Sequence, residues 1–271
     1  MCRPELTGAA RPSGTRMDAH IDLTQIERLY SDYTVKPLSY GTVRDYCDSF
    51  DNLRPLATAN GDLKDCQRSW MLKAILSKIR GKGRLLEFGA GEPLVADLLQ
   101  RLGHEVWIVD PYEGYANGPT ELARLRAQYP NLKFIPTVFD DRLALPKNSF
   151  DCIFSISVLE HVPASSMNGV FAGVRRFLNP DGITIHAIDH VLRGQGADWH
   201  VGHLRQIVGG LGLSVDELGG VLDAAGEDPE TYYLSAEGHN RWRNGVPYDQ
   251  FPMRSCISIQ VAAEASGLRT G

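Results

Sequence analysis

Three short runs hold residues whose types and spacing can do chemistry. In the first, Glu87-Phe88-Gly89-Ala90-Gly91, an apolar stretch ends on an acid and turns through two glycines into a helical pattern beginning near Pro93. Such a turn aims backbone N–H groups at a ligand, and a Cβ there would block the approach. The acid restricts the ligand. Glu87 would repel a dinucleotide's pyrophosphate, and Pro93 stands where a third glycine is expected. The second run, Glu105 to Asp110, reads as another buried strand ending on an acid. A doubly wound sheet keeps a carboxylate at that place to accept from both ribose hydroxyls. A helix cap is the plainer role for Asp110. The third run passes from Leu145-Pro146 through Ser155 and Ser157 to Leu159-Glu160-His161-Val162. His161 follows a strand at the open carboxyl edge, and histidine titrates near neutral pH, so it is the candidate base. Its alternative is a packed turn residue.

A second polar cluster holds His186, Asp189, His190, Asp198, His200 and His203. Asp189 and His190 are expected to face the same cleft as His161, as further catalytic candidates. His200 and His203 share a helix face, but no zinc signature is complete, and no metal site is expected. His239-Asn240-Arg241-Trp242-Arg243-Asn244-Gly245 could stack and pair an anionic or sugar-like molecule, or form a solvated loop.

The elements that must position these groups follow from periodicity. Helices are expected over 21–32 and 62–80, the second stopped by Gly81-Lys82-Gly83. Strands at 84–88, 105–110, 132–136, 150–156 and 183–188 then alternate with helices near 93–102, 119–128 and 166–178. This rhythm predicts an α/β fold, doubly wound, with a mostly parallel sheet and right-handed crossovers. Asn179-Pro180-Asp181-Gly182 is expected to be the turn before the fifth strand. Helices near 200–211 and 215–225 precede two β-like runs, 231–235 and 255–262.

Composition sets the outer limits. The 271 residues suit one domain with additions, and 43% hydrophobic content can bury a sizeable core. A net charge of -5 and pI near 5.9 argue against nucleic-acid or membrane-surface partners. Residues 1–17 lack an apolar core and read as a disordered tail, with Met17 an alternative start. Cys2, Cys47, Cys66, Cys152 and Cys256 are scattered without a C-x-x-C, which fits a reducing cytoplasm.

Taken in order, the E-F-G-A-G turn, the acid at Asp110, the D-x-x-x-L-P-x-x-S-F-D approach and the L-E-H-V turn resemble the class I S-adenosylmethionine (SAM)-dependent methyltransferases. The resemblance implies a seven-stranded sheet with an antiparallel C-terminal edge hairpin, and a helical cap over 18–80 on a SAM domain over 81–271. SAM would be the cofactor. Glu87 would hold its amino group, with Gly89, Ala90 and Gly91 around it and Asp110 on the ribose. Asp141, or else Asp140, would take the adenine amino group, and Ser155 or Ser157 would offer backbone carbonyls. In the family the helix before the first strand often closes over the cofactor, so Arg68, beside Gln67 and Trp70, would pair the methionine carboxylate. One metal-binding branch of the family has a Glu where Ser157 stands, which weakens metal dependence. The implied reaction is methylation, more readily at a hydroxyl, of a small polar molecule, sugar-like or acidic. An N-methyltransferase, a nicotinamide-dependent oxidoreductase and a non-catalytic binding protein on the same fold are the alternatives. A homodimer is compatible with all of them.

Overall fold

The computed structural model describes residues 22–58, 62–114, 119–194, 196–235 and 256–268. Helices α1 (Leu23–Tyr30) and α2 (Val43–Asp51) flank a short strand, β1 (Leu38–Tyr40), and lead to α3 (Leu63–Lys78). The alternating part runs β2 (Arg84–Phe88), α4 (Leu94–Arg101), β3 (Glu105–Val109), α5 (Leu122–Gln128), β4 (Lys133–Ile135) and β5 (Phe150–Ile156). A 3₁₀ turn (Leu159–His161), α6 (Ala164–Phe177) and β6 (Leu178–Val191) follow. Then come α7 (Ala197–Gly210), α8 (Val215–Glu227), β7 (Cys256–Glu264) and the short α9 (Ala265–Leu268).

The seven strands lie in the order β1-β7-β6-β5-β2-β3-β4. From β6 to β4 neighbours are parallel, while β7 runs antiparallel to both β6 and β1. The expected fold class is therefore present. Central strands β2 and β5 are buried on both faces, which is why they read as continuous apolar runs. One core layer packs Trp70, Met71 and Ile75 of α3 with α4 against the sheet. The other packs Met167, Phe171 and Val174 of α6 with Leu204 and Ile207 of α7.

Two expectations are corrected. The outer edge strand is β1, with Leu38, Ser39 and Tyr40 paired to Val261, Gln260 and Ile259. Of the run 231–235, only Thr231 and Tyr233 form isolated bridges, to Thr42 and Ile257. Second, Asn179 to Gly182 belongs to β6, which begins at Leu178 opposite Phe150 and shifts register before Cys152. A bulge absorbs the extra residues, and the Asn179 amide donates to Asp151 at 2.6 Å, so no separate turn forms. The segment 1–17 and the run His239–Gly245 lie outside the described residues.

α3 begins where Asp62 accepts from the Lys64 N–H at 3.1 Å, and it carries a buried cation, Lys73. Its Nζ donates to Asp45 at 2.6 Å and Asp48 at 2.7 Å, both buried on α2. This network ties the N-terminal helices to the sheet.

Candidate functional site

The first wall of the site is the β2–α4 turn. Glu87 is the second-last residue of β2 and is 2% exposed. Burial pushes its carboxyl up to about 8; Arg68 opposes this and Asp110 adds to it. Its Oε2 is enclosed without a partner. Gly89 has φ +65 and donates to the Val109 carbonyl at 2.9 Å. A Cβ there would stand 2.5 Å from Val158 Cγ2, so this glycine is required by packing as well as by backbone angle. At Gly91, φ is +55, but a Cβ would meet only Pro119 Cδ at 3.7 Å, so the space before it is open. Ala90 lies half-buried between them.

Asp110 fastens this turn. Its Oδ2 accepts from the Gly91 N–H at 3.0 Å and its Oδ1 from the Tyr112 N–H at 2.8 Å. A carboxylate has about four acceptor sites, so both oxygens keep capacity for further donors. Tyr112, buried with a positive φ of 54, has an unpartnered hydroxyl. Sequence reasoning missed it, for a tyrosine just past a strand carries no signal of its own.

The second wall is α3. Arg68 is half-buried, and its Nη1 is enclosed without a partner. Burial lowers its pKa; the nearby acids, Asp65 first and then Asp62, Glu87 and Glu92, hold it up. Trp70 is core packing at 1% exposure. The orphan acceptor on Glu87 and the orphan donor on Arg68 complement an ammonium and a carboxylate. With the open turn at Gly91, they fit the amino-acid end of SAM.

The third wall is the carboxyl edge of β5 and β6. Ser157 has φ +58, and its hydroxyl donates to Asp189 Oδ2 at 3.0 Å. Gln67 donates to Asp189 Oδ1 at 2.7 Å. The Asp189 N–H donates to Glu160 Oε1 at 3.0 Å. Burial, then Asp189, pushes the Glu160 carboxyl up to about 8. The link from Glu160 to Asp189 joins two motifs that stand apart in the sequence.

Asp189 and His190 do not share a cleft, which corrects the expectation. Successive strand residues point to opposite faces. Asp189 faces α3, whereas His190 is buried among α7 and α8, its ring 6.0 Å from that of His200. Burial, reinforced by His200, holds its pKa down to about 4. Ser155 is also on that far face: its hydroxyl bonds His186 Nδ1 at 2.8 Å, and Thr184 bonds Nε2 at 2.7 Å. Only the backbone of Ser155 is left for a ligand.

His161 is exposed at the end of the 3₁₀ turn, directly after Glu160. Asp140 is engaged by the Arg142 side chain and N–H, and Arg142 holds its carboxyl below the usual range. Asp141 is half-buried beside it. His203 bonds the Leu159 carbonyl at 3.2 Å and stacks under Trp199, which is 60% exposed.

Residues 86–186 match the model of a family described as a methyltransferase domain. No curated protein matches the chain. Among solved structures, a protein from Pyrococcus horikoshii OT3 is 29% identical over 49% of this chain and 62% of its own, with a TM-score of 0.38. The Burkholderia thailandensis 1,6-didemethyltoxoflavin-N1-methyltransferase, bound to 1,6-didemethyltoxoflavin and S-adenosylhomocysteine, is 17% identical over 82% of this chain and 85% of its own, at 0.46. The YcgJ protein of Bacillus subtilis is 16% identical over 72% and 96%, at 0.44. This chain thus spans less than two thirds of the first of these.

Proposed function

We propose that this chain, which carries a class I SAM-dependent methyltransferase domain, methylates a hydroxyl of a small polar molecule. The observation that supports this best is the set of unmet polar atoms around one open glycine turn: Glu87 Oε2, Arg68 Nη1 and the Tyr112 hydroxyl. Buried polar atoms are normally paired, so unmet ones converging on a cleft point to a ligand. When bound, SAM supplies a sulfonium methyl that is already strongly electrophilic.

The chain's own residues then bind, align and manage a proton. Glu87 takes the ammonium and Arg68 the carboxylate. Asp110, braced by Gly91 and Tyr112, accepts from the ribose hydroxyls. Asp141 takes the adenine amino group, since Asp140 is committed to Arg142. α3 covers the cleft and excludes water, so the main contribution to rate is alignment. His161, exposed at the carboxyl edge, accepts the proton that leaves the hydroxyl. His190 takes no part, facing the other layer.

Transfer of labelled methyl from SAM into a metabolite extract, followed by mass analysis of the product, tests this reading. His161→Ala should lower that transfer by ~10²–10⁴-fold with cofactor affinity nearly unchanged. A drop of only a few-fold, with the pH–rate profile keeping its shape, would make His161 structural.

A further inference from the structure

Resting on the methyltransferase reading, we infer that Gln67, Ser157, Glu160, Asp189 and Ser258 form the acceptor subsite, built for a head group rich in hydrogen-bond donors. Five elements meet here: α3, the end of β5, the 3₁₀ turn, β6 and β7. The Asp189 carboxylate already receives Gln67 Nε2 and Ser157 Oγ, and its N–H is given to Glu160 Oε1. What remains includes acceptor capacity on Gln67 and Asp189. Gln67 Oε1 and Glu160 Oε2 are enclosed and unpartnered, on side chains 0% and 5% exposed. Ser258, directly across the strand pair from Asp189, has a buried and unpartnered hydroxyl as well. Directly opposed residues on an antiparallel pair project to one face, so Ser258 joins the Asp189 side.

The Gln67 amide decides the chemistry. Its nitrogen donates to Asp189, which leaves its oxygen, an obligate acceptor, enclosed without a donor. An enclosed acceptor without a donor is costly, and a ligand offering O–H or N–H groups removes that cost. An anion would instead face the Asp189 carboxylate with no cation of the cluster to balance it. The head group is therefore neutral or cationic, with adjacent hydroxyls or an amino group. Of the two acceptor classes expected from sequence, sugar-like and acidic, this inference favours the sugar-like one.

The experiment uses the full chain saturated with S-adenosylhomocysteine, whose binding is first confirmed by calorimetry. Three probes are then offered at tens of millimolar in ligand-observed saturation-transfer NMR: myo-inositol, D-glucosamine and D-gluconate. Saturation of inositol and glucosamine but not gluconate is expected, as is its loss in Asp189→Asn and in Gln67→Leu with S-adenosylhomocysteine affinity unchanged. Saturation of glucosamine alone also supports the subsite and assigns it an ammonium. The inference is overturned if gluconate is preferred, if no probe is saturated by the wild type, or if both variants keep the signal. Loss of S-adenosylhomocysteine affinity in both folded variants would assign the cluster to the cofactor. A wild type that binds no S-adenosylhomocysteine would sink the methyltransferase reading itself.

Discussion

Two of the cations on α3, Lys73 and Arg68, are treated differently by the structure. Lys73 is 1% exposed and fully met: two carboxylates at 2.6 and 2.7 Å, with the Tyr33 ring 4.9 Å from its Nζ. Arg68 has an enclosed Nη1 that nothing meets. The sheet repeats the contrast. His186 is satisfied at both ring nitrogens, by Ser155 and Thr184, while Asp189 three residues on belongs to a cluster with unmet oxygens. Closed polar networks hold the fold together, and open ones leave buried polar atoms unmet. Burial alone does not separate the two; completeness of hydrogen bonding does.

The largest effect is expected where the network is closed. Lys73→Met leaves Asp45 buried without a cation and Asp48 with only the exposed Arg44 at 3.4 Å, and should cost ~3–5 kcal/mol of stability. Chemical denaturation would measure it. Cofactor affinity of the remaining folded protein should be unchanged. A mild loss of stability would show that Arg44, Thr42, Asn52 and Gln260, which also meet these carboxylates, suffice without Lys73, and the contrast with Arg68 would fail.

Arg68→Met should do the reverse. Removing a half-buried guanidinium whose Nη1 is enclosed and unmet should leave the ligand-free protein at least as stable, whereas SAM binding weakens by ~1–3 kcal/mol for a lost charge-assisted bond. Equal affinity of wild type and variant in calorimetry would remove Arg68 from the cofactor site.

Asp110→Ala tests the boundary between the two kinds. Its carboxylate braces the Gly91 and Tyr112 N–H groups and still has acceptor sites to spare. Loss of SAM affinity by ~1–3 kcal/mol is expected, with a smaller loss of stability from the freed turn. If only stability falls, Asp110 is a brace and does not hold the ribose.

Some of this contrast was legible in the sequence. The glycine turn and the acids ending β2 and β3 are local signals, carried by residue type and spacing, and so is the alternation that implies the parallel sheet. Strand alternation could also have separated Asp189 from His190, since adjacent strand residues must face apart. Other features depend on distant partners. β1 has three residues and no periodicity of its own; only its ladder with β7 makes it a strand. Asn179 to Gly182 reads as a turn because the bulge opposite Phe150 is a property of two strands together. Lys73 and Arg68 look alike on a helix until α2 places Asp45 and Asp48 beside one of them. Glu160 is tied to Asp189 only through that residue's N–H, a partner 29 residues away in sequence.

The smallest expected signal is a single proton. Glu87 and Glu160 both have carboxyls raised to about 8 from 4.5 in the ligand-free fold. Between those values the folded state keeps protons that the unfolded chain has released. Stability of the ligand-free protein should therefore fall as pH rises from about 4.5 to about 8, and these two groups add no further slope above that. An ammonium placed against Glu87 favours its ionised form, so SAM should bind a Glu87 that gives up its proton. Affinity should then rise with pH toward about 8 and level off, and about one proton should be released per SAM bound near neutral pH. Calorimetry in two buffers of different ionisation enthalpy measures that count. Glu87→Gln should abolish the release and flatten the affinity profile, and should raise ligand-free stability at the alkaline end. If the wild type binds SAM with no proton released, Glu87 is not the ammonium's partner, and its empty oxygen belongs to some other group in the cleft.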